Sequence, residues 1–359
     1  MAMDFFMEKA AQQASQMQAP QVGQASIKVI GCGGAGNNMV NWLYNKGIKG
    51  AEIIAINTDQ QHLDITKADK KLLIGKGVTR GLGCGGFPEK GKESAQEDAH
   101  SLKDMVKHSD MLFVCAGMGG GTGTGSAHVV AKLAKEMGSI VIGTVTMPFK
   151  IERARVEKAE FGLDELRKNC DTVIVIDNNK LVQIAGNLPV QQAFAVANEL
   201  ISTMIRGIVE TIAVPSLVNL DFADVKAIMK DGGVAAIGIG SSDTASRVDE
   251  SVRAALTNPL LEISYEGATG ALIHIEGGPD LTLDEVAKAG DLITAQMDQD
   301  ANVIWGARIN PDMKGKIIVM TIMTGVQSPY MTGMEATASK RRESTPSSAL
   351  SDELGITFA

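Results

Sequence analysis

The stretch Gly119-Gly120-Gly121-Thr122-Gly123-Thr124-Gly125 decides the fold of this 359-residue chain. The apolar run over 111–116 predicts a buried strand before it, and apolar residues at helical spacing over 126–137 predict a helix after it. The glycines therefore form a strand-to-helix turn. Without Cβ atoms, the backbone N–H groups of such a turn can converge on an anion, and the helix adds the positive end of its dipole. We predict a phosphate-binding site at this turn.

Two other interpretations of this turn fit the surrounding sequence less well. The P-loop pattern requires Gly-Lys-Ser/Thr, whereas these seven residues contain no lysine. A flexible glycine-rich linker would lie between domains, without a buried strand on one side and an amphipathic helix on the other. The ordinary P-loop families and the linker are therefore both disfavoured.

The composition indicates a globular protein with room for two domains. Hydrophobic residues make up 44% of the chain and charged residues 21%, and the formal net charge is −8. Nucleic acid is not an expected partner, because phosphate backbones call for clustered Lys and Arg. No apolar run reaches the roughly 18 residues of a membrane span, and the four cysteines suggest neither a metal pair nor a disulfide framework. These features predict a cytoplasmic protein.

A second glycine-rich turn follows the strand predicted over 26–30. Its sequence from Gly31 to Gly36 matches G-x-G-x-x-G, the dinucleotide-binding fingerprint. In that fold an acidic residue ends the next strand, about 20 residues on, whereas here the strand ends in Asn57-Thr58-Asp59 and the acid comes late. A dehydrogenase also has no use for a further glycine-rich phosphate-binding turn such as the one at 119–125. An NAD-dependent oxidoreductase is therefore only an alternative.

Strands alternate with helices through the first half of the chain. Further strands are predicted over 72–74, 140–145 and 172–176. The capping-box pattern of Ser94 and Glu97 predicts a helix from Ser94 to about His108. This alternation is typical of an α/β fold with a doubly wound parallel sheet, which binds ligands at the carboxyl ends of its strands. The glycine-rich turns, including the one at 81–86, all fall at that edge.

A long apolar helix predicted over 190–213 divides the chain. It lies between Pro189 and Pro215 and is apolar nearly all round, as expected of a helix buried between two domains. Beyond it, strands in succession with two helices predict a second, smaller α+β domain over 214–326. One of its helices is expected to begin at a capping box, Thr282-x-x-Glu285. Residues 1–25 predict a flexible extension, and the polar residues 327–359 predict a disordered tail.

Two motifs some hundred residues apart resemble those of one protein family. The glycine-threonine turn is similar to the signature loop of the tubulin/FtsZ superfamily of GTPases, and Asn219-Leu220-Asp221-Phe222-Ala223-Asp224 matches the N-x-D-x-x-D motif of the FtsZ family. The resemblance covers about residues 26–326 and is greater to archaeal members than to bacterial ones. It implies a GTP-binding domain over 26–189, a central helix over 190–213 and a tubulin/FtsZ-like fold.

The same resemblance implies a set of residues that contact GTP or GDP. They belong to the glycine-rich turn at 31–36, the loop at 81–86, the signature loop, the segments after the strands at 140–145 and 172–176, and the central helix. The expected nucleotide-binding residues are Gly34, Ala35, Gly36, Asn37, Asn38, Gly83, Cys84, Gly85, Gly119, Gly120, Gly121, Thr122, Gly123, Thr124, Gly125, Glu152, Arg155, Asn178, Phe194 and Asn198.

The segment around Glu152 departs from the family pattern. The family has a Glu, then a Gly, with an Arg four residues after the Glu, and both charged residues contact the nucleotide. Here Glu152 matches, Arg153 replaces the Gly, and Val156 occupies the fourth position. Arg155 is the better candidate for the basic role. A solvated helix face remains the alternative for both arginines.

Phe194 and Asn198 match the family residues that stack on guanine and read its edge. Their four-residue spacing places both on one face of the central helix. The alternatives are core packing for the phenylalanine and a surface position for the asparagine.

The resemblance also implies that Asn219, Asp221 and Asp224 are catalytic residues that enter the nucleotide pocket of the next subunit. The central helix separates the two acids from the base by tens of ångströms, so they cannot reach their own nucleotide. The alternative is a helix N-terminus with acidic residues, which the helix dipole favours by itself.

These residues together imply a filament-forming GTPase of cell division that hydrolyses GTP in a Mg²⁺-dependent reaction. Its partner is expected to be a further copy of itself, because a head-to-tail contact generates an open filament. The tail is expected to bind a membrane-anchor protein at the division site. An FtsZ-like cell-shape protein, or a scaffold with little turnover, is the alternative that shares the same pocket.

Overall fold

The computed structural model describes residues 25–213, 221–230, 232–257, 268–295, 297 and 300–326. Helices and strands alternate through the first half, as the sequence predicts. The strands are β1 (Ile27–Cys32), β2 (Ala51–Asn57), β3 (Lys70–Leu73), β4 (Met111–Gly117), β5 (Ile140–Met147), β6 (Thr172–Asp177), β7 (Gly233–Ser242), β8 (Gly270–Gly277), β9 (Asn302–Ile309) and β10 (Ile317–Thr324). The α-helices are α1 (Gly33–Lys46), α2 (Gln60–Ile65), α3 (Lys76–Thr79), α4 (Pro88–Glu97), α5 (Ala99–Val106), α6 (Thr122–Glu136), α7 (Ala154–Asn169), α8 (Asn178–Ala185), α9 (Val190–Ala213), α10 (Phe222–Met229), α11 (Arg247–Leu256) and α12 (Leu283–Thr294).

The first six strands form a parallel sheet in the order β3-β2-β1-β4-β5-β6. Helices cover both of its faces, so its strands are apolar on both sides. In β4, for example, Phe113 packs into the core on one face of the sheet and Val114 into the core on the other. The predicted doubly wound α/β architecture is confirmed.

A smaller mixed sheet continues from the first one. β7 pairs with β6 in parallel through only two residue pairs, and pairs with β10 in antiparallel orientation along eight. β10 pairs antiparallel with β8, and β8 pairs parallel with β9. Helices α11 and α12 pack on this second sheet around a core of their own. The second α+β unit of the prediction is therefore confirmed.

Helix α9 lies between the two sheets, with the bounds that the sequence predicts. Ile201, Ile205 and Val209 pack in the same core as Met320 and Ile322 of the second sheet. Polar contacts hold the helix on both sides: Trp42 Nε1 donates to Glu199 at 2.7 Å, and Arg308 donates to Glu210 at 3.2 Å. Helix α1 on one side and strand β9 on the other thus each donate one hydrogen bond to a glutamate of this helix.

Two helix starts differ from the sequence prediction. α6 begins at Thr122 rather than Ser126, so the second half of the signature stretch forms its first turn. The predicted single helix from Ser94 to His108 is wrong. Helix α4 already begins at Pro88, and the helical conformation is interrupted at Asp98 before α5 begins.

The supposed capping box at Ser94 fails for a local reason. Ser94 is buried inside α4, where its hydroxyl donates to the carbonyl of Lys90 at 2.7 Å, and Glu97 accepts from the N–H of Gly77 instead. The capping box of α12 is confirmed, with Thr282 Oγ1 accepting from the N–H of Glu285 and the Glu285 carboxylate accepting from the N–H of Thr282.

Some predicted features lie outside the described residues. They are the N-terminal extension, Asn219 and the tail from 327 onward. Within the described ranges, no helix combines the length and the apolar character needed to cross a membrane.

Arg247 joins α11 to the start of α12. Its guanidinium donates two hydrogen bonds to Glu285, at 2.7 and 2.8 Å, and one to Asp280 at 2.7 Å, and its side chain is only 11% exposed. Hydrogen bonds from Arg247 are the main cause that lowers the pKa of Glu285 below its ordinary value of 4.5. The ion pair therefore stabilises the fold at pH values above 4.5. This stabilisation is lost as the pH falls through the lower pKa that Glu285 has in the folded state.

We expect Arg247→Met to lower the midpoint of thermal unfolding at pH 7 by about 2–4 °C. The exposed Arg253 on the same helix is the matched control, and Arg253→Met should change the midpoint far less. The difference between Arg247→Met and the unmodified protein should shrink as pH falls below 4.5, as measured by calorimetry at several pH values. A difference that does not depend on pH would contradict the assigned role of the carboxylates.

Candidate functional site

A cavity of about 350 Å³ opens at the carboxyl ends of β1, β4, β5 and β6. This is where an open parallel sheet binds its ligand. Many of the predicted site residues line it, together with several that were not predicted. The lining residues are Cys32, Gly34, Ala35, Gly117, Met118, Gly120, Gly121, Thr122, Gly123, Thr146, Pro148, Phe149, Glu152, Arg155, Asn178 and Phe194.

The signature loop forms one wall of the cavity. A Cβ atom added at Gly120 would have no neighbour within 4 Å, whereas one at Gly121 would lie 2.5 Å from the Cβ of Cys84. The loop is fixed internally, because the N–H of Gly119 donates to Thr124 Oγ1 at 2.9 Å. Gly120 therefore presents bare backbone to the cavity, while Gly119, Thr124 and Gly125 serve the packing beneath it and do not line it.

Burial keeps the wall of the cavity free of thiolate charge. Cys32 lines the cavity, and desolvation by burial raises the pKa of its thiol to about 12. Burial also raises the pKa of the Cys115 thiol, on the neighbouring strand. Neutral sulfur atoms add no repulsion toward an anion held at the loops.

The first glycine turn contributes Gly34 and Ala35 to the cavity, but Asn37 has a different place. Asn37 is fully buried, and its amide donates to the carbonyls of Gly31 and Ile56 at 2.9 and 3.2 Å and accepts from Asn57 at 3.1 Å. These bonds join α1 to the ends of β1 and β2. Asn38 is exposed on α1, and neither asparagine lines the cavity, nor does Gly36.

The loop at 81–86 lies behind the signature loop. Gly83 and Gly85 adopt positive φ angles of 80° and 58°. Lys158 Nζ donates to the carbonyl of Gly86 at 2.7 Å and so ties the loop to α7. Cys84 is buried with its sulfur 3.5 Å from Thr122 Oγ1. The predicted residues Gly83, Cys84 and Gly85 thus contact the signature loop or stand near it without lining the cavity.

Glu152 and Arg155 both line the cavity. Arg155 donates to Glu152 at 2.7 Å, and the other oxygen of Glu152 accepts from the N–H of Phe149 at 3.0 Å. Arg153 is exposed and does not line the cavity, but its φ of +41° is unusual for a residue with a side chain. The backbone thus keeps a glycine-like conformation at the position where the family has Gly.

Two aromatic rings stand together at another part of the cavity. The rings of Phe149 and Phe194 meet edge to face, with centroids 6.0 Å apart, and Asn178 lines the cavity beside them. Asn198 is half-exposed on α9 and is not a lining residue. Phe149 was not predicted. A signal for it was present in the sequence, since Pro148-Phe149 directly follows the end of β5.

Asp221 and Asp224 lie at the start of helix α10, which packs against the amino end of β6, opposite to the end of that strand that forms the cavity. The carbonyl of Met229, at the end of α10, accepts from Thr172 Oγ1 at 2.6 Å, and Thr172 begins β6. Asn178, in the cavity, follows the other end of that strand. Both acids are exposed, and the Asp224 carboxylate makes no hydrogen bond or ion pair with any residue that the structure describes. No group of three metal-ligating side chains occurs in the described ranges either.

Comparison with protein families identifies both halves of the chain. The GTPase domain of the Tubulin/FtsZ family matches residues 26–186, and the C-terminal domain of the FtsZ family matches residues 233–327. The first match contains the whole cavity except Phe194. The second contains the smaller sheet and helices α11 and α12.

Known proteins with these domains are similar along almost their whole length. The chain is 58% identical over 318 residues to cell division protein FtsZ 2 of Methanocaldococcus jannaschii, covering 88% of this chain and 84% of that protein. It is 52% identical to cell division protein FtsZ 2 of Halobacterium salinarum, over 87% of this chain and 80% of that one. An empty FtsZ dimer from M. jannaschii superposes with a TM-score of 0.80, at 46% identity over 89% of this chain and 92% of the other. The chain therefore belongs to the FtsZ family of tubulin-like GTPases.

Proposed function

We propose that this GTPase assembles head to tail into filaments that act in cell division, and that it hydrolyses GTP to GDP where two subunits meet. The observation that carries this proposal is the placement of the cavity and of Asp221 and Asp224 on opposite sides of one molecule. The two relatives described above are named cell division proteins, and one similar solved structure is a dimer. Membership of the family decides against the NAD-dependent oxidoreductase.

The cavity supports a specific orientation of GTP. The bare backbone of the glycine loops, at Gly34 and Gly120, would receive the phosphates, and the Phe149–Phe194 pair with Asn178 would receive the base. Predicted residues that do not line the cavity would act by supporting those that do. Asn37 would hold the first turn in place, for example, and Gly125 would allow the close packing of α6.

The side chains at the loops fit a magnesium ion held mainly by phosphate. Mg²⁺ bound with a nucleotide uses few protein ligands and several phosphate or water oxygens. Thr122 lines the cavity with a hydroxyl, and the described part of the chain has no ready-made carboxylate cage. Thr122 would stand beside the ion, and the ion would neutralise charge that develops on the transferred phosphoryl group.

Exposed apolar side chains near the cavity support a subunit contact on that face. Ile151 and Leu82 are 85% and 82% exposed, and Phe87, beside the signature loop, is 54% exposed. Side chains of this kind gain from burial against another protein surface. A second copy of the chain would cover them while presenting Asp221 and Asp224 to the nucleotide.

The two acids would then act on the water that attacks the terminal phosphate. A carboxylate can orient that water or accept its proton, and Asp224, which has no partner among the described residues, is available for this. Asp221 also caps α10, so it would hold the loop as well. Asn219 would complete the group. Keeping these acids on a neighbour avoids repulsion between carboxylates and the bound triphosphate.

We assign recruitment to the tail from 327 onward, which would bind a membrane-anchor protein and place the filament in the cytoplasm at the division site. The polar composition of the tail supports this, because it favours binding over independent folding.

A cell-shape or scaffold role with little turnover would share the same cavity. Phosphate release on addition of GTP, measured in parallel with light scattering, distinguishes turnover from assembly alone.

The loop backbone can be tested at Gly120. We expect Gly120→Ala to lower GTP affinity by about tenfold or more without lowering the thermal midpoint, because its Cβ meets no protein atom within 4 Å and enters the ligand space. Gly121 is a poorer probe, since a Cβ there collides with Cys84. Gly290→Ala, at an open helical position in the second unit, is the matched control and should leave affinity unchanged. Full GTP affinity in Gly120→Ala, by fluorescence titration, would contradict the assignment.

Substitution of Arg155 should affect GTP binding, whereas substitution of Arg153 should affect stability. We expect Arg155→Ala to weaken GTP binding by about tenfold, because it removes a cation from the cavity wall. Arg153→Gly should leave GTP affinity unchanged and stabilise the fold by about 1 kcal/mol, since glycine adopts a φ of +41° without strain. Fluorescence titration and thermal unfolding measure the two effects. Equal loss of affinity in both variants would mean that Arg153 also contacts the nucleotide.

The shared site can be tested by mixing variants. Asp224→Ala should bind GTP and assemble but hydrolyse GTP slowly. Gly120→Ala should retain both acids but bind GTP weakly. Mixed at constant total protein, they should regain phosphate release, because the pocket of one meets the acids of the other. Asp284→Ala, an exposed acid in the first turn of α12, is the matched control and should hydrolyse normally. Co-sedimentation of both variants without any recovery would refute the shared site.

A further inference from the structure

Thr58 is a buried residue that contacts both the signature loop and the loop at 81–86 without lining the cavity. It follows β2, its relative exposure is 0%, and it is absent from the cavity wall. Its three polar atoms, the hydroxyl, the carbonyl and the N–H, all have partners. Apart from the adjacent Asn57, these partners lie on α3, in the loop at 81–86 and at the start of α6.

The hydroxyl of Thr58 connects the signature loop with the loop at 81–86. Its Oγ1 lies 2.6 Å from Thr122 Oγ1 and 3.3 Å from the sulfur of Cys84. Thr122 lines the cavity, whereas Cys84 is buried behind it. The hydroxyl of Thr58 is therefore one hydrogen bond away from the ligand space.

The backbone of Thr58 fixes the rest of the arrangement. Its carbonyl accepts from the N–H of Gly83 at 3.0 Å and from Thr79 Oγ1 at 3.2 Å. Its N–H donates to Asn57 Oδ1 at 2.9 Å, and Asn57 in turn donates to Asn37 on α1. Thr58 thus contacts the signature loop and the loop at 81–86 directly, and it is connected to α1 through Asn57.

The bonding capacity of the two hydroxyls determines what this contact can do. Each threonine hydroxyl has one hydrogen to donate, and oxygen is a better acceptor than the sulfur of cysteine. When Thr58 donates to Thr122 Oγ1, the only protein acceptor within reach of the Thr122 hydrogen among the described residues is the sulfur of Cys84, at 3.5 Å. An oxygen acceptor in the cavity would compete well with that sulfur for the hydrogen. Removal of the Thr58 hydroxyl would leave Thr122 with the sulfur of Cys84, 3.5 Å away, as its protein partner.

We propose that Thr58 is a positioning residue that orients the Thr122 hydroxyl toward the terminal phosphate and thereby favours GTP over GDP. The proposal rests on the GTP orientation given above. With the base at Phe149 and Phe194, the phosphates extend along the glycine loops, and the segment held by Thr58 meets the part that GDP lacks. Loss of the hydroxyl should therefore weaken GTP binding and turnover while leaving GDP binding nearly intact.

The test compares Thr58→Val, which removes the hydroxyl and keeps the shape, with Thr58→Ser, which keeps the hydroxyl. Dissociation constants for GTP and GDP are measured by fluorescence titration, together with kcat and KM for phosphate release. We expect the ratio of GTP to GDP affinity to fall about tenfold in Thr58→Val and to stay within about twofold of the unmodified protein in Thr58→Ser. Should Thr58→Val not fold, Thr58→Ala replaces it.

Thr144 offers a matched control. It is fully buried on β5, and its hydroxyl has no hydrogen-bond partner among the residues that the structure describes. Thr144→Val removes a buried hydroxyl from the same sheet without removing a contact, so its ratio of affinities and its turnover should match those of the unmodified protein. Thermal unfolding of all variants separates loss of stability from loss of positioning.

A double-mutant cycle with Thr122→Val isolates the hydrogen bond. If Thr58 acts through Thr122, adding Thr58→Val to Thr122→Val should not change the ratio of affinities further. Additive effects, an unchanged ratio in Thr58→Val, or equal losses of GTP and GDP binding would each overturn the inference. Failure of the unmodified protein to bind GTP would refute the proposed function itself, and is seen separately from the behaviour of the variants.

Discussion

Close approach of backbone segments, possible only where Cβ atoms are absent, is the constraint on which the nucleotide end depends. A Cβ at Gly36 would lie 2.3 Å from the carbonyl oxygen of Cys115, and one at Gly125 would lie 2.0 Å from that of Pro88. Contacts this short exclude any side chain at these two positions. The glycines therefore allow α1 to pack directly against β4 and α6 to pack directly against α4. Their N-termini consequently converge at one edge, and the bare backbone between them becomes the wall of the cavity.

Helix α9 turns this local arrangement into a property of the whole subunit. It spans about 36 Å at 1.5 Å per residue, with Phe194 at the cavity end and α10 beyond its far end. Its apolar surface is buried against both sheets, and Glu199 and Glu210 hold it to one unit each. A rigid separator of this length keeps the cavity and the acids of one molecule apart. Contacts between subunits that join such opposite faces are heterologous, and they generate an open filament wherever the rotation between subunits does not close a ring.

Sequence patterns predicted well those features that depend on neighbours along the chain. Continuous apolar runs predicted β4, β5 and β6 because both faces of those strands are covered, and Thr282 with Glu285 predicted the start of α12. The same kind of pattern failed at Ser94, where Pro88 begins the helix one turn and a half earlier and burial directs the serine to Lys90. It also could not reveal that Arg153 keeps a glycine-like backbone.

By itself, the sequence determined the alternation of elements, the glycine-rich turns, the long apolar helix and the family to which the chain belongs, because periodicity and motif spacing are local properties. Only the tertiary structure decided which predicted residues line the cavity. Phe149 joins Phe194, Arg155 faces the cavity while Arg153 does not, and Thr58 meets Thr122 across 64 positions of sequence. Such contacts arise from how the helices pack on the sheet, and packing depends on the shapes of all the side chains at once.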